Sequence, residues 1–357
     1  MLGFLEKPLV RVPVYVAFGL LVFMIAVAAT FPDEQIKDIV AVEIENQLGG
    51  KYSVEIEDLD IWWLSGVALE NVTIAERVDP AEAAAAAAAA ADGTEAEGPP
   101  QDIPMRVMIP SIAGRFAPLR SVLSAGPAVA FEIDLGGGIV DGYFANGSDE
   151  RALYVKLNAI DLRKTTALTA FLGIPFFGQL DGEIDLILDP KRPMVTGGSV
   201  TIVGDKLTLG PATVETDKFP PITYLEIPQT NFGSLDVQLR VVEDKGQDKM
   251  SVDAFKWSGR DIRGELWGEL ELATRMERVQ PDVEMRMQLD ENFVSKNSLG
   301  PLLNVAEVRR GKNQDWFGFH LYGRISNLKF KGSPKSAAGP PADEADGAAP
   351  ADREAPQ

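Results

Sequence analysis

The chain has 357 residues, no cysteine, a single histidine and a formal net charge of −19 with a pI near 4.6. That length can bury a substantial core, while the missing cysteines exclude disulfides, thiolate metal sites and cysteine nucleophiles, and the lone His320 excludes any centre that needs two imidazoles. The acidic balance repels a phosphate backbone, so nucleic acid is not an expected partner.

Residues 12–30, VPVYVAFGLLVFMIAVAAT, form 19 positions without a charge. As a helix rising about 1.5 Å per residue they span roughly the ~30 Å hydrocarbon core, which predicts a transmembrane helix. Lys7 and Arg11 precede the run and Asp33 and Glu34 follow it, so the positive-inside rule puts residues 1–11 in the cytoplasm and everything after residue 30 outside it. Ala26-Val27-Ala28 offers a competing reading as a cleaved signal peptide, but the apolar run exceeds the usual core of such a segment.

From Asp33 to Leu48 the residues Ile36, Ile39, Val40, Ile44 and Leu48 recur at helical spacing, and Gly49-Gly50 stops the run. The polar face is mostly acidic, which anionic lipid repels, so this helix is expected to pack on the sheet that follows. Two strand-like runs come next, Tyr52 to Ile61 and Gly66 to Ile74, joined through Trp62-Trp63. Their apolar alternation changes phase between Ile56 and Leu59, which predicts a bulge near Asp58. Adjacent tryptophans just outside a span suit a bilayer interface, although one of such a pair is commonly core.

Residues 76–102 are low-complexity, with nine consecutive alanines, and read as a disordered acidic linker. Strands are expected at Met105 to Ile109, Val129 to Leu135, Ile139 to Phe144 and Leu153 to Leu162, with short helices around Pro118 to Leu123 and Lys164 to Leu172. The nonapeptide GQLDGEIDL at Gly178 returns as GELWGELEL at Gly264 and, degraded, as FHLYGRISN at Phe319. Relatives lie at Gly138 and Gly233. Within each copy Leu180, Ile184, Leu186, or Leu266, Leu270, Leu272, or Leu321, Ile325, keep to one side of a strand, while acids or aromatics take the other. The shared Gly142, Gly182, Gly268 and Gly323 fall on the apolar side, where glycine marks a bulge, a bend or a close approach.

Further strands are expected at Gly198 to Val203, Lys206 to Leu209, Ala212 to Glu215, Thr223 to Ile227, Gly233 to Val242, Met250 to Trp257, Gly264 to Ala273, Pro281 to Leu289 and Phe317 to Leu328. The copy spacing is too irregular for a solenoid. The expected fold is therefore mainly β: one N-terminal transmembrane helix, then a large curved antiparallel sheet or open half-barrel of repeated hairpins with a few short helices. In order, residues 31–75 form a helix and hairpin, 76–102 the linker, 103–331 the repeated-strand domain, and 332–357 a disordered acidic tail.

Chemistry is sparse. The run GGGIVDG at Gly136 leads into a strand rather than a helix, so it is no phosphate loop. Asp181 with Glu183 would project from one face in the manner of a hydrolytic or hard-metal carboxylate pair, but a solvated strand face explains them better. No nucleophile and base pair stands out, and no catalytic residue, metal site or cofactor is expected. Trp257, Trp267, Trp316 and Tyr322 suit either a ligand groove or cross-strand packing. The apolar set Leu180, Ile184, Leu186, Leu266, Leu270, Leu272, Leu321 and Ile325 is the candidate groove or core face.

A short N-terminus, one span, an FPxxxI helix opening at Phe31-Pro32, the hairpin VEIEDLDIWWLSGVALENVTI from Val54 to Ile74, and the GxLxGxLxL strands together resemble the N subunit of bacterial type II secretion systems (GspN), in the form similar to AsmA-type envelope proteins. The resemblance covers residues 9–330 and rests on structural motifs. It implies a non-enzymatic, single-pass inner-membrane protein whose bulk lies in the periplasm, with other type II secretion subunits as partners and the membrane contacted through residues 12–30. The AsmA-like side of the resemblance implies phospholipid as an alternative partner. It supplies no catalytic residues, and the alanine linker and acidic tail have no counterpart in it.

Overall fold

A computed structural model of the chain describes residues 33–48, 50–62, 66–77, 106–148, 150–165, 174–191, 194–219, 222–244, 247–274, 278–297, 309–310, 316–325 and 327–340. The expected N-terminus and span at 1–30, Trp63, the linker from residue 78 on, all but the first two residues of the helix expected at Lys164 to Leu172, and the residues after 340 lie outside that set. No helix among the described residues is long and apolar enough to cross a membrane.

The described chain opens on a helix and continues as a very large antiparallel sheet with two short helices in its connections. Helix α1 is Asp33–Gln47; strands β1 to β8 follow at Tyr52–Trp62, Gly66–Glu76, Arg106–Phe116, Ala128–Asp134, Ile139–Asn146, Arg151–Asp161, Phe176–Leu188 and Val195–Leu209, with a short helix α2, Pro118–Leu123, between β3 and β4. Then come β9, Ala212–Phe219, β10, Ile222–Ile227, β11, Thr230–Asp244, β12, Gln247–Ser258, β13, Ile262–Glu271, and β14, Gln280–Leu289. Helix α3, Glu291–Lys296, β15, Arg309–Arg310, β16, Phe317–Arg324, and β17, Asn327–Gly332, complete the set, with a 3-10 turn at Ser336–Ala338.

Among the described residues the main sheet has 15 strands, and almost every strand pairs with its neighbour in the chain. Only β9 and β10 leave it, as a separate two-stranded hairpin between β8 and β11. The path starts at β1 and ends at β16, whose far side is shared by β15 and β17. Among the described residues the sheet is antiparallel and open, in line with the mainly β fold expected from the repeats.

Helix α1 lies on the first three strands. Ile36, Val40, Ala41 and Ile44 pack on a core of Val54, Leu59, Leu69 and Val72, with Ile109 and Ile112 of β3 alongside. Polar contacts fix its direction: Glu45 Oε1 accepts from Val54 N at 2.9 Å, and Lys37 Nζ donates to Glu57 O at 3.2 Å, so the helix runs antiparallel to β1.

The phase change expected near Asp58 is present, but it is not a bulge. Val54 and Leu59 both turn inward although they are five residues apart, and the β1–β2 and β2–β3 registers stay constant through the switch. Asn71 opposite takes a left-handed conformation, φ 50°, and donates from Nδ2 to Glu57 Oε2 at 2.7 Å. Three strands therefore flip in step without a change of register, the pairings at Asn71 alone being interrupted. A left-handed backbone costs a β-branched residue about 1–2 kcal/mol and asparagine far less. Asn71→Val is expected to lower the urea unfolding free energy by about that amount, while Asn71→Gly leaves it nearly unchanged.

A second switch crosses β6 to β8 and β11. Ala159 and Lys206 have φ of 48° and 52°, Gly178 and Gly233 have φ of 120° and 68°, and the strand registers shift beside them. The result brings Ile160, Leu162 and Leu207 into a second core with Phe176, Leu180, Phe232 and Leu235. The runs Gly198 to Val203 and Lys206 to Leu209 are thus one strand, β8; Gly204 and Asp205 between them pair with Leu180 and Gln179 of β7, and the bulge follows at Lys206. The opposite correction applies at Phe317 to Leu328, where a turn after Arg324 makes two strands, β16 and β17, of the expected single one. The tail expected to be disordered from 332 instead packs through residues 333–340, where Ser336 and Ala337 are buried and Ser336 Oγ donates to Glu284 Oε2 on β14.

Candidate functional site: the apolar face of the sheet

Strand pairing joins the apolar positions of the repeats into rows that cross the whole sheet. One row starts at Ile61 and passes through Val67, Gly114, Phe131, Gly142, Val155 and Ile184. It continues through Val200, Leu239, Val252, Gly268, Val283, Leu321 and Phe330. That is one residue from each of fourteen strands, every one of them apolar or glycine. A second row, Leu59, Leu69, Ile112, Ile133, Val140, Leu157, Gly182, Ile202, Val237 and Phe255, runs beside it through ten strands. At about 4.8 Å between strands, the longer row extends about 60 Å.

The centre of this face is half-buried. Phe131, Val155, Ile184, Val200 and Leu239 are all intermediate in exposure, whereas Ile61, Val67 and Phe330 at its two ends are exposed. Among the described residues the elements that pack closely on the sheet are α1 over β1, α2 beside β4, and the 3-10 turn over β14 and β16. Side chains of one strand therefore shield those of the next, and a half-buried apolar face of this extent is far larger than a surface residue needs for itself.

The predicted face residues mostly fall where the alternation puts them. Leu180, Ile184 and Leu186 on β7 are half-buried on the apolar face, as are Leu266 and Leu270 on β13 and Leu321 on β16. Leu272 lies just past the end of β13, where its N–H reaches Asp248 O at 3.2 Å. Ile325 is in the β16–β17 turn and 40% exposed, so it leaves the face. The rows as such were beyond single-strand reasoning, which sees a period but not a register. Trp257 is buried on the apolar face beside Phe255, whereas register puts Trp267, opposite Glu284, on the other one. Trp316 sits against Arg286, 4.6 Å from ring centre to guanidinium.

The shared glycine has two uses. At Gly182 the flanking Leu157 and Ile202 reach 3.3 Å from where a Cβ would stand, so neighbours fill the gap. At Gly268 φ is 127°, and the residue lies at the edge of a bulge in the facing strand, where the β12–β13 register shifts between Val252 and Lys256.

The opposite face is polar and solvated. Asp181, Glu183 and Asp185 are exposed, and Glu183 stands across from Lys156. Asp181 also holds the bulge in β6, where its Oδ1 accepts from the N–H of Ala159 at 2.8 Å. Tyr143 and Tyr154 stack at 5.4 Å, and burial first, then the adjacent Glu183, pushes the Tyr154 phenol above its ordinary range. His320 pairs with Asp282 at 2.6 Å and stacks on Tyr322. At the far rim Asp261 is buried and ties three elements together. Its Oδ2 accepts from Asn231 N at 2.9 Å, its Oδ1 from Arg260 Nε at 3.0 Å, and its carbonyl from Asp290 N at 3.0 Å. Burial opposes ionisation there, but these donors outweigh it and hold the carboxyl below its usual range. Among the described residues no cluster of three or more His, Cys, Asp or Glu side chains is arranged to hold a metal ion.

Compared with known proteins, the chain matches no family model, no curated protein and no solved structure.

Proposed function

We propose that this chain is a non-enzymatic, inner-membrane-anchored periplasmic component of a bacterial type II secretion system, acting as an assembly or scaffolding subunit. The observation that carries the reading is a sheet that, among the described residues, is open and has an unpaired edge at either end, β1 at one and β17 with β15 at the other. Such edges present backbone donors and acceptors to a partner strand, and strand addition is a general route to subunit docking. The hairpin on which the family resemblance rests, Val54 to Ile74, is formed by β1 and β2, so one available edge belongs to it. Mild crosslinking at native expression, followed by mass spectrometry, is expected to recover other secretion subunits through residues of β1 or β17. Recovery of none, with the protein present in the membrane fraction, removes the proposal.

A second reading is favoured by the fourteen-strand apolar row: a groove that holds phospholipid acyl chains, in the manner implied by the AsmA-like resemblance. Curvature toward a half-barrel belongs to this reading, since twist accumulated over so many strands turns one face inward. The two readings use different parts of the molecule, edges in one and the apolar face in the other, and they separate by mutation.

A further inference from the structure

Helix α2 is amphipathic in the inverted sense. Its inner side is polar: Ser121 Oγ accepts from Ala128 N at 2.9 Å and donates to Ala117 O at 2.9 Å, Ser124 Oγ donates to Arg120 O at 2.8 Å, and the Arg120 guanidinium lies 3.6 Å from the centre of the Tyr143 ring. Its outer side is apolar, with Leu119, Val122 and Leu123 at 80%, 80% and 85% exposure. Leu119, Val122 and Leu123 stand three and four apart, so they share one face. Their neighbours at the end of the sheet continue the patch: Phe116, Val129 and Phe144 are paired across β3, β4 and β5, and all three are exposed.

The position of this patch identifies its occupant. Because α1 runs antiparallel to β1, the Asp33 end of the helix lies at the end of the sheet where β1 finishes at Trp62. Trp62 pairs with Gly66, Gly66 with Arg115, and Phe116 leads directly into α2. The uncharged run 12–30 ends three residues before α1 begins, so the chain outside the structure arrives at this same rim. Arg115 and Arg120 are exposed beside the patch, on a chain whose net charge is −19. Arginine placed next to exposed leucines suits an anionic lipid surface.

We propose that α2 and the rim around it dock on the anionic leaflet beside the anchor, with Leu119, Val122 and Leu123 immersed at the headgroup boundary, so that the sheet stands on the membrane by two points. This rests on the reading of 12–30 as a retained span, and it fixes which rim of the sheet faces the bilayer.

The absence of native cysteine makes the test direct. Leu119→Cys, Val203→Cys and Ala28→Cys in the full chain, each carrying an NBD label, are reconstituted into vesicles of phosphatidylethanolamine and phosphatidylglycerol containing nitroxide-labelled lipid. Val203 is exposed on the polar face, well away from α2, and serves as the aqueous reference. Quenching at 119 at least about twofold above that at 203 is expected for a side chain held ~5–10 Å into the interface. Quenching at 119 supports the docking whether or not the label at 28 is quenched, whereas the label at 28 alone reports on the anchor. Iodide-accessible, unquenched emission at 119 overturns the docking, however 28 behaves. In a second variant Leu119, Val122 and Leu123 become serine and the label moves to Phe116→Cys. Its urea midpoint is expected to stay put while its quenching falls to the aqueous reference; retained quenching also overturns the proposal.

Discussion

Ile184→Asp and Leu239→Asp, singly, are expected to strip phospholipid from the purified protein if the apolar face is a lipid path, with native mass spectrometry showing about a tenfold drop in the lipid-bound fraction. Both positions lie in the fourteen-strand row, on β7 and β11, with Val200 of β8 between them. An acyl chain lying along the row must pass each carboxylate, and desolvating one costs several kcal/mol, well above the ~1.4 kcal/mol that a tenfold change requires. Because both side chains are only half-buried, the aspartates keep contact with water in the unliganded protein and the fold survives, at a cost of about 1–2 kcal/mol read by urea unfolding. Glu183→Lys on the opposite face is the control and leaves the lipid signal where it was. A wild-type protein that carries no lipid, or aspartate variants that carry as much as the wild type, would sink the groove reading and leave the edges of β1 and β17 as the working surface. Loss of crosslinked subunits in the aspartate variants, with lipid unchanged, would mean instead that the face is where a protein partner sits.

The sidedness on which this experiment depends is legible in the sequence. Period-two alternation in GQLDGEIDL needs only local sterics to declare itself, and Leu180, Ile184 and Leu186 do share the half-buried side of β7. The amphipathic period of α1 and the phase change before Leu59 are equally local signals, and both correspond to real features. What local pattern does not carry is register. The row from Ile61 to Phe330 exists only because thirteen separate strand pairings line up, and each pairing is a non-local choice. The same limit explains the two boundary errors: Gly204-Asp205 has turn chemistry but sits beside a bulge, inside a strand held by pairing on both sides, whereas the stretch after Gly323 keeps strand chemistry through a turn. Helix α2 was recognisable as a helix, but its inverted orientation was not, because the burial of Ser121 and the seat of Arg120 on Tyr143 depend on strands that arrive later in the chain.

Gly142→Val is expected to lower stability by about 3 kcal/mol or more, with the midpoint of urea unfolding as the measurement. A Cβ at Gly142 would fall on the carbonyl oxygen of Tyr154 in the neighbouring strand and stand 2.8 Å from Phe131 Cζ, whose ring lies across the gap. A backbone atom cannot yield as a side-chain end can, so β5 and β6 would have to part. Gly182→Ala meets a milder approach, the backbone Thr201 O at 2.9 Å with the side-chain ends of Leu157 and Ile202 at 3.3 Å, and is expected to cost about 1–2 kcal/mol. If glycine were there only to bend the strand, the two substitutions would rank by backbone conformation. Neither residue has a positive φ, so that account predicts equal and small effects. The packing account predicts a large difference, and it carries a functional corollary: Gly142 and Gly182 are places in the two rows where a neighbour's side chain lies over the strand. Filling Gly182 with a methyl group should therefore alter the contour of the apolar face while the sheet stays intact, changing lipid occupancy without changing the unfolding midpoint by more than its small direct cost. A Gly142→Val protein as stable as the wild type would show that the strands are free to separate there, and that the glycine does not mark a close approach.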